Sequence, residues 1–246
     1  MKLGAQLYTV RAFTKDLNGI SESLKKVADM GYTTVQLSGT CDYDADWMKE
    51  ELDKNGLECA ITHFSPEKVA ADPAGTVDFH KTIGCNRVGI GYFDLHQKPV
   101  TELIDTILCH ADAVKAAGGK LYYHNHAIEF NKVDGKKNID IILDTFSADK
   151  LGIILDTYWV QKAGADPIQW LEKLAGRVDC VHFKDMKHNG DMAVVGEGNM
   201  NFEGIIKACE KVGTEYALVE QDDCYGEDPF DCLKRSYDYL TSLGLK

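Results

Sequence analysis

Short apolar runs alternate along the chain with longer stretches in which apolar residues recur every three or four positions. The runs lie at 2–9, 33–38, 57–64, 87–93, 120–126, 151–158, 178–184 and 216–221, and their length and content of branched and aromatic residues predict eight β-strands. A glycine recurs at the joins: Met30-Gly31-Tyr32, Asn55-Gly56-Leu57, Ile83-Gly84-Cys85, Ala117-Gly118-Gly119, Ala175-Gly176-Arg177 and Val212-Gly213-Thr214. Glycine just past a helix takes the left-handed conformation without a Cβ penalty, so each join reads as helix, stop, strand. Helix starts are marked at Ser65-Pro66, Asp166-Pro167 and Asp228-Pro229, where a capping side chain precedes a proline at the first helical position.

Strict alternation predicts parallel strands with right-handed crossovers, and the near-continuous apolar run Leu151-Gly-Ile-Ile-Leu155 suits a sheet buried on both faces. Eight such units in 246 residues fit a closed (β/α)8 TIM barrel better than a doubly wound sheet. No Gly-x-Gly-x-x-Gly follows the first strand to favour a dinucleotide fold. No proline-rich, serine-rich or low-complexity linker interrupts the series, so one domain is expected over 1–246. The longest irregular segment, 188–200, contains Gly196-Glu197-Gly198 and is a candidate lid.

Composition narrows the function classes. With 44% hydrophobic and 27% charged residues the chain is an ordinary globular one, long enough to build a core without staples. Its 39 acidic against 27 basic residues give a net charge of −12, which sets it against phosphate backbones and acidic lipid; neither nucleic acid nor membrane is expected as a partner. No apolar stretch approaches the roughly 20 residues of a membrane span. Residues 1–10 lack the basic and apolar regions of a secretory signal, so a cytoplasmic location is expected. The eight cysteines are dispersed without a Cys-x-x-Cys pair and read as free thiols in a reducing compartment.

Barrel enzymes place their chemistry at the C-terminal ends of the strands. There the third run ends in His63; the fifth in His124-Asn125-His126 with Glu129 just beyond; the sixth in Asp156; the seventh in His182 and Lys184; the eighth in Glu220, followed by Gln221 and Asp222. Taken singly, Asp156 reads as a turn cap, His182 as a packed core histidine and Lys184 as a solvated cation. Glu220 resists such a reading, because a carboxylate closing an apolar strand needs a partner or a cation. Ionisable groups finishing four consecutive strands predict a shared site. Carboxylates with imidazole and no thiolate suit one divalent metal ion, Mn²⁺, Co²⁺, Mg²⁺ or Zn²⁺.

The segments Tyr123-His-Asn-His-Ala-Ile-Glu-Phe130, Leu155-Asp-Thr-Tyr-Trp159, Val181-His-Phe-Lys-Asp185 and Val219-Glu-Gln-Asp222 resemble the xylose isomerase-like barrel superfamily, often labelled sugar phosphate isomerase/epimerase. The resemblance implies a single metal held from strands five to eight, with Asp156, His182 and Glu220 as ligands. For the strand-five ligand it implies Glu129, with His124 as the rival. It also implies Glu129 and Glu220 as the acid–base pair, and His63, His124, His126, Trp159 and Lys184 as substrate contacts. Trp159 stands where the family's epimerases carry a histidine, and an aromatic wall there suits a sugar ring or an apolar aglycone. The implied reaction is isomerisation or epimerisation, in which a proton leaves beside a metal-polarised carbonyl and the resulting enediolate is reprotonated. A lyase or dehydratase acting on inosose-like or 3-keto-sugar substrates, or a non-catalytic sugar-binding barrel, are the alternatives. No glycine-rich anion cradle is present, so a non-phosphorylated sugar or sugar-derived ketone is the expected small-molecule partner.

Overall fold

A computed structural model describes residues 1–246. Eight parallel strands close into a barrel in sequence order: β1 Lys2–Gln6, β2 Thr34–Leu37, β3 Glu58–His63, β4 Arg87–Ile90, β5 Lys120–His124, β6 Leu151–Asp156, β7 Cys180–Phe183 and β8 Tyr216–Val219. The β1–β8 pairing, Lys2 opposite Tyr216 through Ala5 opposite Val219, closes the ring. Helices between the strands form the outer layer and bury the main apolar core against the barrel wall. No helix is long and apolar enough to cross a membrane.

The helix boundaries follow the punctuation in the sequence. Ser65, Asp166 and Asp228 each accept a hydrogen bond from a backbone N–H of the first turn they precede. Gly213 ends the helix Phe202–Val212 at φ +80°, and the glycines at the other five joins share a positive φ. All eight cysteines are free thiols.

Every strand is shorter at its C-terminal end than the apolar pattern predicts. The expected first strand, 2–9, stops at Gln6 and turns into the 3-10 helix Leu7–Val10. The sixth, 151–158, stops at Asp156, whose side chain accepts from the Trp159 N–H and starts the helix Thr157–Lys162. The apolar content of 157–160 is buried in both arrangements, so hydropathy does not separate a strand end from a first helical turn.

Alternation along the strands decides what faces the axis. Ile61, Tyr122, Ile154, Cys180, Tyr216 and Leu218 pack together inside the barrel, whereas their neighbours Tyr123, Ile153, Leu155, Val181, Phe183 and Val219 join the core under the helices. A Cβ on Gly152 would meet the Tyr122 ring at 2.2 Å, so glycine is needed there for this aromatic to fill the interior. Stepping two residues onward from the inward set gives His63, His124, Asp156, His182 and Glu220, which therefore crown the same interior column.

The segment 188–200 is not built as a lid. Asp185 is buried, and its carboxylate accepts backbone hydrogen bonds from Gly196, Gly198 and Met200 at 3.0–3.1 Å. A short antiparallel ribbon pairs Asp185–Met186 with Met192–Ala193, and Tyr158 donates to the Gly190 carbonyl. The charge-assisted bonds to one buried carboxylate hold the segment in place. Gly198 serves close approach to Asp185, since a Cβ there would lie 2.3 Å from the carboxylate oxygen.

Candidate active site

His124, Asp156, His182 and Glu220 end the inward column on β5 to β8 and are all buried; one ligand-type atom from each lies within 4.8 Å of the others. In each of the four, one polar atom is tied down on the far side. The Nδ1–H of His124 donates to the Gly91 carbonyl at 3.2 Å. Asp156 Oδ1 accepts from the Trp159 backbone N–H at 2.9 Å. The Nε2–H of His182 donates to Gln36 Oε1 at 2.6 Å. Glu220 Oε1 accepts from Gln6 Nε2 at 3.0 Å.

The remaining atoms, His124 Nε2, Asp156 Oδ2, His182 Nδ1 and Glu220 Oε2, face one another. His124 Nε2 is 3.2 Å from Asp156 Oδ2, and His182 Nδ1 is 2.8 Å from Glu220 Oε2. A neutral imidazole that gives its one proton to the outer partner turns a lone pair inward, whereas a protonated one donates to the carboxylate beside it, so these inner contacts hold either a proton or a metal ion. His182 Nδ1 and Glu220 Oε2 are buried and make no hydrogen bond despite their proximity. Lone pairs directed at one another in a buried pocket are stable when a cation sits between them, and outer hydrogen bonds that fix imidazole tautomers are the usual support of metal-ligating histidines. The donor set of two imidazoles and two carboxylates fits a divalent ion.

Lys184 completes the electrostatics. Its buried ammonium lies 3.2 Å from Asp156 Oδ2, 2.9 Å from Glu220 Oε2 and 2.9 Å from Asp222 Oδ2. Burial alone would push Asp156 and Glu220 upward, but the Lys184 cation, with the imidazoles beside them, outweighs this and holds both well below the usual carboxylate range. Burial would push His182 down, and the Glu220 and Asp156 carboxylates raise it instead. Burial and the charge of His182 lower His124, while burial and His124 bring His126 down to about 3, so these two rings are neutral. Asp222 is raised to about 7 by burial and by Glu220.

A cleft of about 490 Å³ opens above the cluster, lined by His63, His124, His126, Lys184, Glu220 and Asp222, with Tyr8, Arg11 and Tyr92 at its rim. Of the residues expected from sequence, His63, His124, His126, Lys184 and Glu220 line the cleft, Asp156 and His182 lie in the buried cluster, and Glu129 and Trp159 do neither. Glu129, expected as the strand-five ligand and an acid–base group, is fully buried and bonded elsewhere: Tyr123 donates to its Oε1 and the His126 backbone N–H to its Oε2, both at 2.7 Å. Tyr123 faces the helix layer, so it draws Glu129 to the outside of β5, and His124 occupies the strand-five position in the cluster. Trp159, expected as a substrate wall, begins a helix capped by Asp156 and stands behind His126, 5.3 Å between ring centroids, instead of on the cleft.

Sequence reasoning missed Gln6 and Gln36. Each is a fully buried amide in an apolar strand, and that mismatch was the available signal. Gln36 sits at a register shift between β2 and β3, where a bulge re-aims a side chain toward His182.

The comparisons with known proteins agree with this architecture. An inosose dehydratase from Geobacillus kaustophilus is 22% identical over an alignment 266 positions long, gaps included, covering 89% of this chain and 86% of that one. A solved sugar phosphate isomerase/epimerase from Parabacteroides distasonis superposes with a TM-score of 0.83 at 23% identity, covering 98% and 93% of the two chains. The IOLI protein with a bound zinc atom superposes with a TM-score of 0.74 at 15% identity, covering 99% and 98%. Residues 24–243 match the family description "Xylose isomerase-like TIM barrel". That match spans most of the barrel, and the chain belongs to this family.

Proposed function

We propose that this chain is a cytoplasmic, divalent-metal-dependent isomerase or epimerase that removes a proton beside the carbonyl of a sugar-derived ketone. The observation that carries this reading is the set of four inner atoms, His124 Nε2, Asp156 Oδ2, His182 Nδ1 and Glu220 Oε2, turned toward one another while every outer atom is bonded. These residues would hold Mn²⁺, Co²⁺, Mg²⁺ or Zn²⁺, and such an ion acts as a Lewis acid that polarises a carbonyl and stabilises negative charge beside it. The zinc of the IOLI protein supports a divalent ion at such a site.

The chain's own groups supply the proton handling. Glu220 is the base on the cleft floor, and Asp222 on the same wall is the carboxyl that returns the proton. The Lys184 ammonium, with its three donors directed at Asp156, Glu220 and Asp222, holds these carboxylates in place, and the neutral rings of His63 and His126 hydrogen-bond hydroxyls. The cleft's cations are already engaged, Lys184 by carboxylates and Arg11 by the Tyr8 and Asp222 carbonyls, which supports a non-phosphorylated substrate. A second reading, elimination of water or another β-leaving group, is supported by the inosose dehydratase name of relatives aligned over most of this chain.

Incubating Mn²⁺-loaded protein in D₂O with a panel of ketoses, inososes and keto-glycosides tests this directly. The expected result is deuterium at the carbon next to the carbonyl, lost on chelation and restored by Mn²⁺. Loss of water or of a leaving group from the labelled product selects the second reading. Labelling of none of the panel, or labelling that persists under chelator, contradicts both and leaves a sugar-binding barrel.

A further inference from the structure

A second chamber of about 680 Å³ adjoins the polar cleft on the side of β2 and β3, and the two share Ser38, Gly39, His63, Phe64 and Ser65 as a common wall. Their chemistry differs. The cleft is lined chiefly by imidazoles, carboxylates and a lysine, whereas the chamber sets the rings of Tyr43, Phe64 and Phe79 among polar residues such as Thr40, Asp72 and Thr76. Phe79 lies 5.4 Å from Phe64 and 5.8 Å from Tyr43 between ring centroids. The outer edge is polar, with Lys68 and Asp42 3.2 Å apart joining the segments that follow β2 and β3.

His63 is the junction. Its ring centroid lies 5.2 Å from that of His124 and 5.5 Å from that of His182, so it touches the donor cluster on one side and forms part of the chamber wall on the other. Its Nδ1 is 3.1 Å from Ser38 Oγ, and its Nε2 is buried without a partner. With the Ser38 hydroxyl donating to Nδ1, Nε2 carries the proton and is a donor awaiting an acceptor. Small-molecule pockets span roughly 300–1,000 Å³, so either space holds a ring by itself. A polyhydroxy ketone bound at the cluster leaves the aromatic chamber unused.

We infer that the substrate is a two-part molecule: a sugar-derived ketone in the cleft, joined through an oxygen to an aromatic or alicyclic group in the chamber of Tyr43, Phe64 and Phe79. The link passes beside His63, the residue that lines both spaces. The inference rests on the reading of the cleft as the seat of the sugar ketone. Burying one face of a ring against three aromatic side chains favours the extended molecule over its truncated form through apolar area and ring packing.

The test is calorimetric titration of the Mn²⁺-loaded protein with the phenyl and methyl 3-keto-β-glucosides. The phenyl compound is expected to bind about tenfold or more tightly than the methyl compound. Ala71→Trp, at an exposed helical position on the chamber wall, fills the chamber and is expected to bring the ratio near one. Phe79→Leu, which keeps an apolar side chain but removes a ring, is expected to lower the ratio. Equal affinities in the unmodified protein, a ratio untouched by both substitutions, or no binding of either compound up to millimolar concentration overturns the inference. Deuterium exchange read in the same samples keeps the two proposals apart. A phenyl preference without exchange supports the chamber and removes the proton-transfer reading; exchange without a preference does the reverse.

Discussion

Replacing Lys184 by methionine is expected to destabilise the metal-free protein by about 3–5 kcal/mol, the range found when one partner of a buried ion pair is removed. Methionine keeps much of the stem's volume, so the loss arises from charge. Asp156 and Glu220 are buried, Lys184 lies within 3.2 Å of both, and its removal leaves two carboxylates in a site without a compensating cation. A divalent ion compensates the same carboxylates. Saturating Mn²⁺ is therefore expected to recover most of the lost stability, and the substituted protein gains more from the ion than the unmodified one does. Denaturant unfolding of both proteins with and without Mn²⁺ measures this; equal stability in the metal-free state would show that Lys184 does not neutralise the cluster.

The second large effect is expected at Glu220. Glu220→Gln keeps the shape and leaves an amide oxygen to accept from Gln6, so the barrel stays folded. It removes the base on the cleft floor and replaces the oxygen beside His182 Nδ1 with an amide, which ligates metal poorly. Turnover is expected to fall by about 10²–10⁴-fold, the usual contribution of a positioned acid–base group, and metal retention is expected to weaken with it. Steady-state rates, elemental analysis and circular dichroism on the same preparation separate the outcomes. Full activity in this variant contradicts the assignment of Glu220.

The contrast between Glu220 and Glu129 shows what was legible in the sequence. Glu220 lies two residues past Leu218 on a strand whose alternation is unbroken, so its direction follows from period two and a closed barrel. The same argument points His124, Asp156 and His182 inward. Glu129 lies beyond the end of β5 in a 3-10 turn, where no periodicity applies, and its hydrogen bond from Tyr123 comes from the opposite face of the strand. Loop geometry of that kind is not written in hydropathy.

The strand count and the helix caps were readable because glycine, proline and capping side chains impose local geometry whatever surrounds them. The strand ends were not, since 157–160 is apolar both as strand and as helix, and the Asp156 cap decides between them. Gln6 and Gln36 were visible as polar residues in apolar strands, but their meaning depends on β1 pairing with β8 and on β2 facing β7, which closure alone supplies. The segment 188–200 resembles a lid by length and glycine content. Its rigidity comes from Asp185, a residue outside that segment.

The central claim is that four inner atoms on β5 to β8 hold one cation, with His124 and not Glu129 as the donor from β5. Anomalous diffraction at the manganese edge, on crystals grown with excess Mn²⁺, tests it most directly. A single strong peak within bonding distance of His124 Nε2, Asp156 Oδ2, His182 Nδ1 and Glu220 Oε2 is the predicted result. No peak among these atoms, or a peak beside Glu129, would contradict the account.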